Sequence, residues 1–103
     1  MLLPIKLNSS EGLTGLCYRT GELINIADVY QDERFNPDVD KSTNYRTKSM
    51  LTIPIKDETN QTRAILQAIN KHRSTDGPGE FSAFDAADED FAMYICDQLG
   101  LVL

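Results

Sequence analysis

The 103-residue sequence holds one histidine, two cysteines outside any CxxC spacing, no cluster of Lys or Arg, and no long apolar run. Each scarcity removes a class of function. His72 lies between Lys71 and Arg73 in a polar stretch, so no Ser–His–Asp set can be completed around it, and it reads as a solvated loop residue. Cys17 and Cys96 have no metal or redox spacing and read as buried thiols, with a disulfide as the alternative. Basic residues are scattered from Lys6 to Arg73 and absent beyond. With sixteen acidic residues against ten basic ones and a formal charge of -6, nucleic acid and membrane surfaces are poor partners. Any anionic ligand would need a local device such as a helix N-terminus. The apolar start at residues 1–5 is too short to span a bilayer and no secretory signal precedes it, so a cytoplasmic location is expected.

What is present is enough for one small domain. Apolar residues make up 41% of the chain, sufficient for a single core at this length. Residues 1–6 alternate weakly and predict a short strand. GLTGLCYRTG, residues 12–21, places Leu13, Leu16, Cys17 and Thr20 at helical spacing, with Ser10 as N-cap and Gly21 as the stop. ELINI (22–26) predicts a strand with Ile24 and Ile26 on one face. The polar segment 28–47 predicts a loop with a helical turn from Asp38 to about Thr43, started by Pro37. SMLTIPIK (49–56) and RAILQAIN (63–70) predict a hairpin across DETNQT, and Pro54 suggests an unpaired side. From about Asp85 to the end, Phe91, Tyr94, Ile95, Gln98, Leu99 and Val102 follow helical periodicity, and that stripe is expected to pack on the sheet. The order β-α-β-loop-β-β-α describes an α+β domain with helices laid against an antiparallel sheet. No internal repeat is present.

Three features point to binding rather than catalysis. Gly12-Leu13-Thr14-Gly15 opens a helix whose first backbone N–H groups are approachable, either as plain capping or as an anion site. The hydroxyl-rich run from Asp40 to Thr47 is either a solvated loop or the wall of a small polar site. Gln67, flanked on its strand face by Ile65 and Ile69, either lies on an open face or reaches a buried ligand, since buried polar groups need partners. The acids Asp85, Asp88, Glu89 and Asp90 fill the first turns of a helix, where the macrodipole favours negative charge.

In this order the residues resemble a GAF domain, of the type found in cyclic-nucleotide phosphodiesterases and related adenylyl cyclases. The likeness rests on TGE-x-x-NI-x-D-x-Y from Thr20 to Tyr30, and on D-x-RF-N-x-x-VD from Asp32 to Asp40. It rests also on the signature Asn-Lys, a spacer, then Phe-x-x-x-Asp-Glu, here Asn70, Lys71, Phe84, Asp88 and Glu89. Phe81 with Asp85 offers a second register that lacks the Glu, so the first is preferred.

The resemblance implies a three-layer fold of the PAS/GAF type and a pocket that closes over cyclic AMP or cyclic GMP. Leu13 and Thr14 would offer backbone N–H groups to the cyclic phosphate. Asp40, Thr43 and Thr47 would line the pocket from the lid, and Gln67 would meet the ribose side. Lys71 and Asp88 would form a structural ion pair that shapes the pocket. A complete member begins with a helix and two further strands that help read the base, so residues 1–103 are expected to be a single, partial GAF domain. The resemblance also implies a regulatory role beside a separate catalytic domain, with homodimerisation through GAF and connecting helices. A GAF domain serving mainly dimerisation, without nucleotide, is the alternative.

Overall fold

In a computed structural model of the chain, residues 12–102 are described; the expected first strand and the Ser10 cap lie outside them. The elements are α1 (Gly12–Thr20), β1 (Ile24–Ile26), a 3-10 turn (Val29–Gln31), α2 (Asp38–Thr43), β2 (Met50–Lys56), β3 (Thr62–Ile69) and α3 (Ala86–Gly100). The strands form one antiparallel sheet in the order β1-β2-β3. The β2–β3 hairpin is set by Asp57, whose Oδ1 accepts from the backbone N–H groups of Thr59 and Gln61. Asn60 supplies the left-handed residue of that turn. β1 begins opposite Thr52 and runs back to Met50, so Pro54 lies beyond it and interrupts no ladder on that side, as its missing N–H requires.

Strand alternation divides the core in two. Leu51, Ile53 and Ile55 pack with Ala92 and Cys96 of α3, with Leu23 and Phe84 at the margin. Met50 and Ile69 pack on the other face with Leu13 of α1 and Val29, joined by Ile24, Ile26, Phe35 and Tyr45. The two helices therefore cover opposite faces. α1 stops where Gly21, at φ +69°, returns its N–H to the Cys17 carbonyl at 2.8 Å.

The seating of α3 corrects the sequence reading. Phe91, Tyr94 and Val102 are 67%, 62% and 80% exposed, and Leu99 is also exposed. The face turned to the sheet is Ala92, Cys96 and Gly100. Small side chains let the helix backbone come close: a Cβ added to Gly100 would lie 2.0 Å from the Lys56 carbonyl oxygen. Periodicity located the apolar stripe correctly, but the sheet takes the side that permits the tightest approach.

Candidate ligand pocket and lid clasp

Asn70 follows β3 in the left-handed region, at φ 58°, a conformation that Asn tolerates better than most residues. Its backbone N–H donates to the Ser49 carbonyl at 2.9 Å. Its side chain then saturates the neighbouring segment. Oδ1 accepts from the Lys48 N–H at 2.6 Å, while Nδ2 donates to the Tyr45 hydroxyl at 2.8 Å and to the Arg46 carbonyl at 3.0 Å. One carboxamide thus binds residues 45–48 to the sheet.

Lys71, the next residue, reaches the other way. Its N–H donates to Ser49 Oγ at 3.1 Å, and its carbonyl accepts from the Ser82 N–H at 2.7 Å. Its ammonium contacts Asp85 Oδ2 at 3.2 Å and, more closely, Asp88 Oδ2. These acids are the N-cap and third residue of α3 and cap each other reciprocally. Asp85 Oδ1 accepts from the Asp88 N–H, and Asp88 Oδ2 accepts from the Asp85 N–H, each at 2.9 Å. The lysine therefore meets the acids of both registers, Asp85 and Asp88. The Asp88 hydrogen bond holds the Lys71 pKa above its ordinary value, and the N–H of Asp88 followed by Lys71 holds Asp85 below its own. Glu89 takes a different partner: Asn25 Nδ2 donates to its Oε2 at 2.6 Å and to the Phe84 carbonyl at 3.0 Å. Phe84 itself packs into the α3-side core. The five signature residues thus fasten residues 45–48, the sheet and α3 together.

On the opposite face lie the expected pocket residues. Gln67, only 4% exposed, donates from Nε2 to Thr14 Oγ1 at 2.6 Å, and Thr52 Oγ1 lies 3.5 Å away. Its Oε1 is buried and has no partner among the described residues. Leu13 is buried beside it in the core, and both Leu13 and Thr14 stand in the first turn of α1. Gly12, at φ +54°, abuts Asn36, with only 3.2 Å between a built Cβ and the Asn36 Cβ. Asp40 and Thr47 are brought together: Oδ1 accepts from Thr47 Oγ1 and Oδ2 from the Thr47 N–H, each at 2.7 Å. Thr43 ends α2 and is exposed.

Sequence reasoning missed Tyr30 and Asn25. The Tyr30 hydroxyl donates to Asp40 Oδ2 at 2.7 Å, which raises its pKa, and the Arg46 guanidinium stacks 4.0 Å from its ring centroid. Asp40 thus gathers three donors, from Tyr30 and Thr47. A cavity of about 180 Å³ lies beside this network, lined by Tyr30, Asp40, Lys41, Asn44, Tyr45 and Arg46. Asn25 carried a signal, being a polar residue on an otherwise apolar short strand, but its partner lies 64 positions away. His72 is exposed, with Nδ1 3.0 Å from the Glu80 carbonyl oxygen. Both cysteines are buried free thiols, pushed up to about 12 for Cys17 and about 11 for Cys96, chiefly by burial. Among the described residues no cluster of His, Cys, Asp or Glu could hold a metal ion, and no helix is long and apolar enough to cross a membrane.

The GAF domain family profile matches residues 3–103. The chain belongs to the GAF family. Its sequence is 48% identical over 60 residues to "Dual 3',5'-cyclic-AMP and -GMP phosphodiesterase 11" of Drosophila melanogaster, covering 58% of this chain and 4% of that protein. It is 40% identical over 94 residues to "Probable 3',5'-cyclic phosphodiesterase pde-5" of Caenorhabditis elegans, covering 87% and 12%. Among solved structures, the GAF domain of an Acinetobacter phosphoenolpyruvate-protein phosphotransferase superposes with a TM-score of 0.70 at 26% identity, over 94% of this chain and 49% of that one. A type II free methionine-R-sulfoxide reductase from Thermoplasma acidophilum superposes at 0.64 and 18% identity, over 91% and 57%, and shares the fold alone. This GAF chain therefore spans about half the length of the solved chains it matches and a small part of its curated relatives. Its antiparallel sheet with a helix on each face agrees with the α+β architecture expected from the sequence, and it is a regulatory GAF module.

Proposed function

We propose that this GAF domain binds cyclic AMP or cyclic GMP and passes the bound state to a separate catalytic domain of a cytoplasmic cyclic-nucleotide phosphodiesterase. The observation that carries the reading is the buried Gln67 carboxamide oxygen, which lacks a donor among the described residues. A buried acceptor left unmatched costs about 1–3 kcal/mol, and a ligand hydroxyl or amine supplies what it lacks. Thr14 and Leu13 stand beside it at a helix start suited to the cyclic phosphate. In this reading the segment from Asp40 to Thr47 is the lid over the same face, in which Asp40 holds Thr47 and Thr43 is exposed. Closure is relayed through Asn70 and Lys71 to α3, because those adjacent residues hold the lid and the α3 cap respectively. A ligand shifts such a pair of states only by its differential affinity for them.

The test is calorimetry and thermal shift with each nucleotide, on this chain and on a longer polypeptide containing it. Heat and a raised Tm with either nucleotide are expected. Silence with both on the longer polypeptide rejects nucleotide binding. A second reading, a GAF domain serving mainly homodimerisation, draws on the exposed apolar residues of α3. Sedimentation that is dimeric and unchanged by nucleotide would favour it.

A further inference from the structure

α2 ends in a tight turn. Asn44, left-handed at φ 55°, and Tyr45 both return their backbone N–H to the Asp40 carbonyl, the second at 3.3 Å. The turn sets Lys41, Asn44, Tyr45 and Arg46 around the cavity of about 180 Å³ that Tyr30 and Asp40 complete. Leu13, Thr14 and Gln67 do not line it.

The cavity is rich in unspent donors. With sixteen acidic residues against ten basic ones, a cation in this chain readily finds a carboxylate, and Arg34, Arg63, Lys71 and Arg73 each hold one. Lys41 and Arg46 hold none among the described residues, although Asp40 lines the same cavity. Asp40 is already engaged, its two oxygens taking three donors from Tyr30 and Thr47. The Arg46 guanidinium lies 4.0 Å from the Tyr30 ring centroid. Stacking of this kind occupies the face of the group and leaves its in-plane N–H donors open. The Tyr45 hydroxyl accepts from Asn70 Nδ2, and its own proton has no acceptor among the described residues. The negative end of the α2 dipole accounts for Lys41 in the last turn. It does not account for Arg46, which lies beyond the helix end.

We propose that this cavity is a binding site for a phosphoryl group, free or on a small phosphomonoester, held by Lys41, Asn44, Tyr45 and Arg46. The guanidinium fork suits two oxygens, and the ammonium, carboxamide and phenol can meet the third. Two cations against one carboxylate leave the lining net positive, so a dianion gains more from it than a monoanion does. Occupancy ties the end of α2 to Arg46. This inference is independent of nucleotide binding beside Gln67.

The probe is inorganic phosphate, with acetate as the monoanion, added to the isotope-labelled chain at constant ionic strength set with sodium chloride. At about pH 8 the second phosphate ionisation is complete. Saturable amide shifts centred on residues 41–46 are expected with phosphate, and binding of acetate about threefold or more weaker, the scale of one exposed charge. Arg46→Gln is expected to weaken phosphate about tenfold, the scale of a charge-assisted hydrogen bond, and Lys41→Gln about threefold. Both side chains are exposed, so circular dichroism stays that of the parent. Arg46→Lys recovers part of the loss, because charge returns without the fork. Phenyl phosphate binding more tightly than inorganic phosphate identifies an ester as the ligand, and equal binding the free ion. Shifts that fail to saturate, acetate equal to phosphate, or full affinity in Arg46→Gln overturns the proposal.

Discussion

The ammonium of Lys71 lies between the carboxylates of Asp85 and Asp88, the two residues that cap α3. One cation thus neutralises a pair of acids held together by reciprocal capping. Lys71→Met is expected to lower Tm by a few degrees, because the two carboxylates then repel each other without a counter-ion. Asp88→Ala removes the lysine's nearer partner and the cap acceptor of the Asp85 N–H together, and lowers Tm further. A double-mutant cycle between the two positions is expected to show coupling. Additive losses would mean that the lysine only shields the helix end.

Stability should fall on both sides of a broad plateau, and the signs follow from the shifts. The Lys71 pKa is raised by Asp88, so its contribution is full below the unfolded value of about 10.4 and is lost as pH rises through the folded one. Asp85 is lowered by its cap hydrogen bond and Lys71, and Asp32 is lowered to about 2 by its hydrogen bonds with Arg34. Their contributions are present above about 3.9 and vanish as pH falls through the folded values. Thermal melts from pH 2 to 11 test this through a decline below pH 4 and another above pH 10.

Asn70 combines a left-handed backbone with three side-chain hydrogen bonds to residues 45–48, and the two can be separated. Asn70→Gly keeps the backbone conformation and loses the bonds. Asn70→Ala loses the bonds and adds about 1 kcal/mol or more of left-handed strain. Both are expected to destabilise, by about 2–4 kcal/mol for Ala, with Gly the milder in urea unfolding. Amide exchange at Lys48 should accelerate in both. If Ala and Gly are equal, the conformation contributes nothing.

Local patterns made most of the fold legible. Gly21, Pro37, Pro54 and the alternation of Leu51, Ile53 and Ile55 fixed helix ends, strand faces and the hairpin, because each acts through its immediate neighbours. The seating of α3 was not legible. Helical periodicity shows which residues share a face, whereas Gly100 against the Lys56 carbonyl is a contact across 44 positions. The site divides in the same way. Lys71 with Asp88 was readable through family resemblance, and Thr14 beside Gln67 could be suspected from a helix start and a lone polar strand residue. The ties of Tyr30 to Asp40, and of Asn25 to Glu89, join side chains that could equally well have faced water.

Gln67 offers a test that separates folding from binding. Gln67→Leu removes the Thr14 hydrogen bond, worth about 1 kcal/mol, and also removes an unmatched buried oxygen that costs about 1–3 kcal/mol. The ligand-free protein is therefore expected to be as stable as the parent or more so. Affinity for cyclic nucleotide should fall by about tenfold or more, the value of one lost buried hydrogen bond. A variant that loses stability and keeps its affinity would assign Gln67 to the core alone.

Gly100 provides the clearest reversal of an intrinsic preference. In an open helix, Gly→Ala stabilises by about 1 kcal/mol. Here the added Cβ would meet the Lys56 carbonyl oxygen at 2.0 Å, a backbone atom that cannot turn aside. Helix and strand must part, and overpacking of this kind costs about 1–3 kcal/mol. Gly100→Ala is therefore expected to destabilise, with increased exposure of Ile55 and Cys96 on the same face. Faster reaction of Cys96 with a thiol reagent than in the parent, where the thiol is buried, would report the separation. A stabilised variant with an unreactive thiol would place the end of α3 farther from β2.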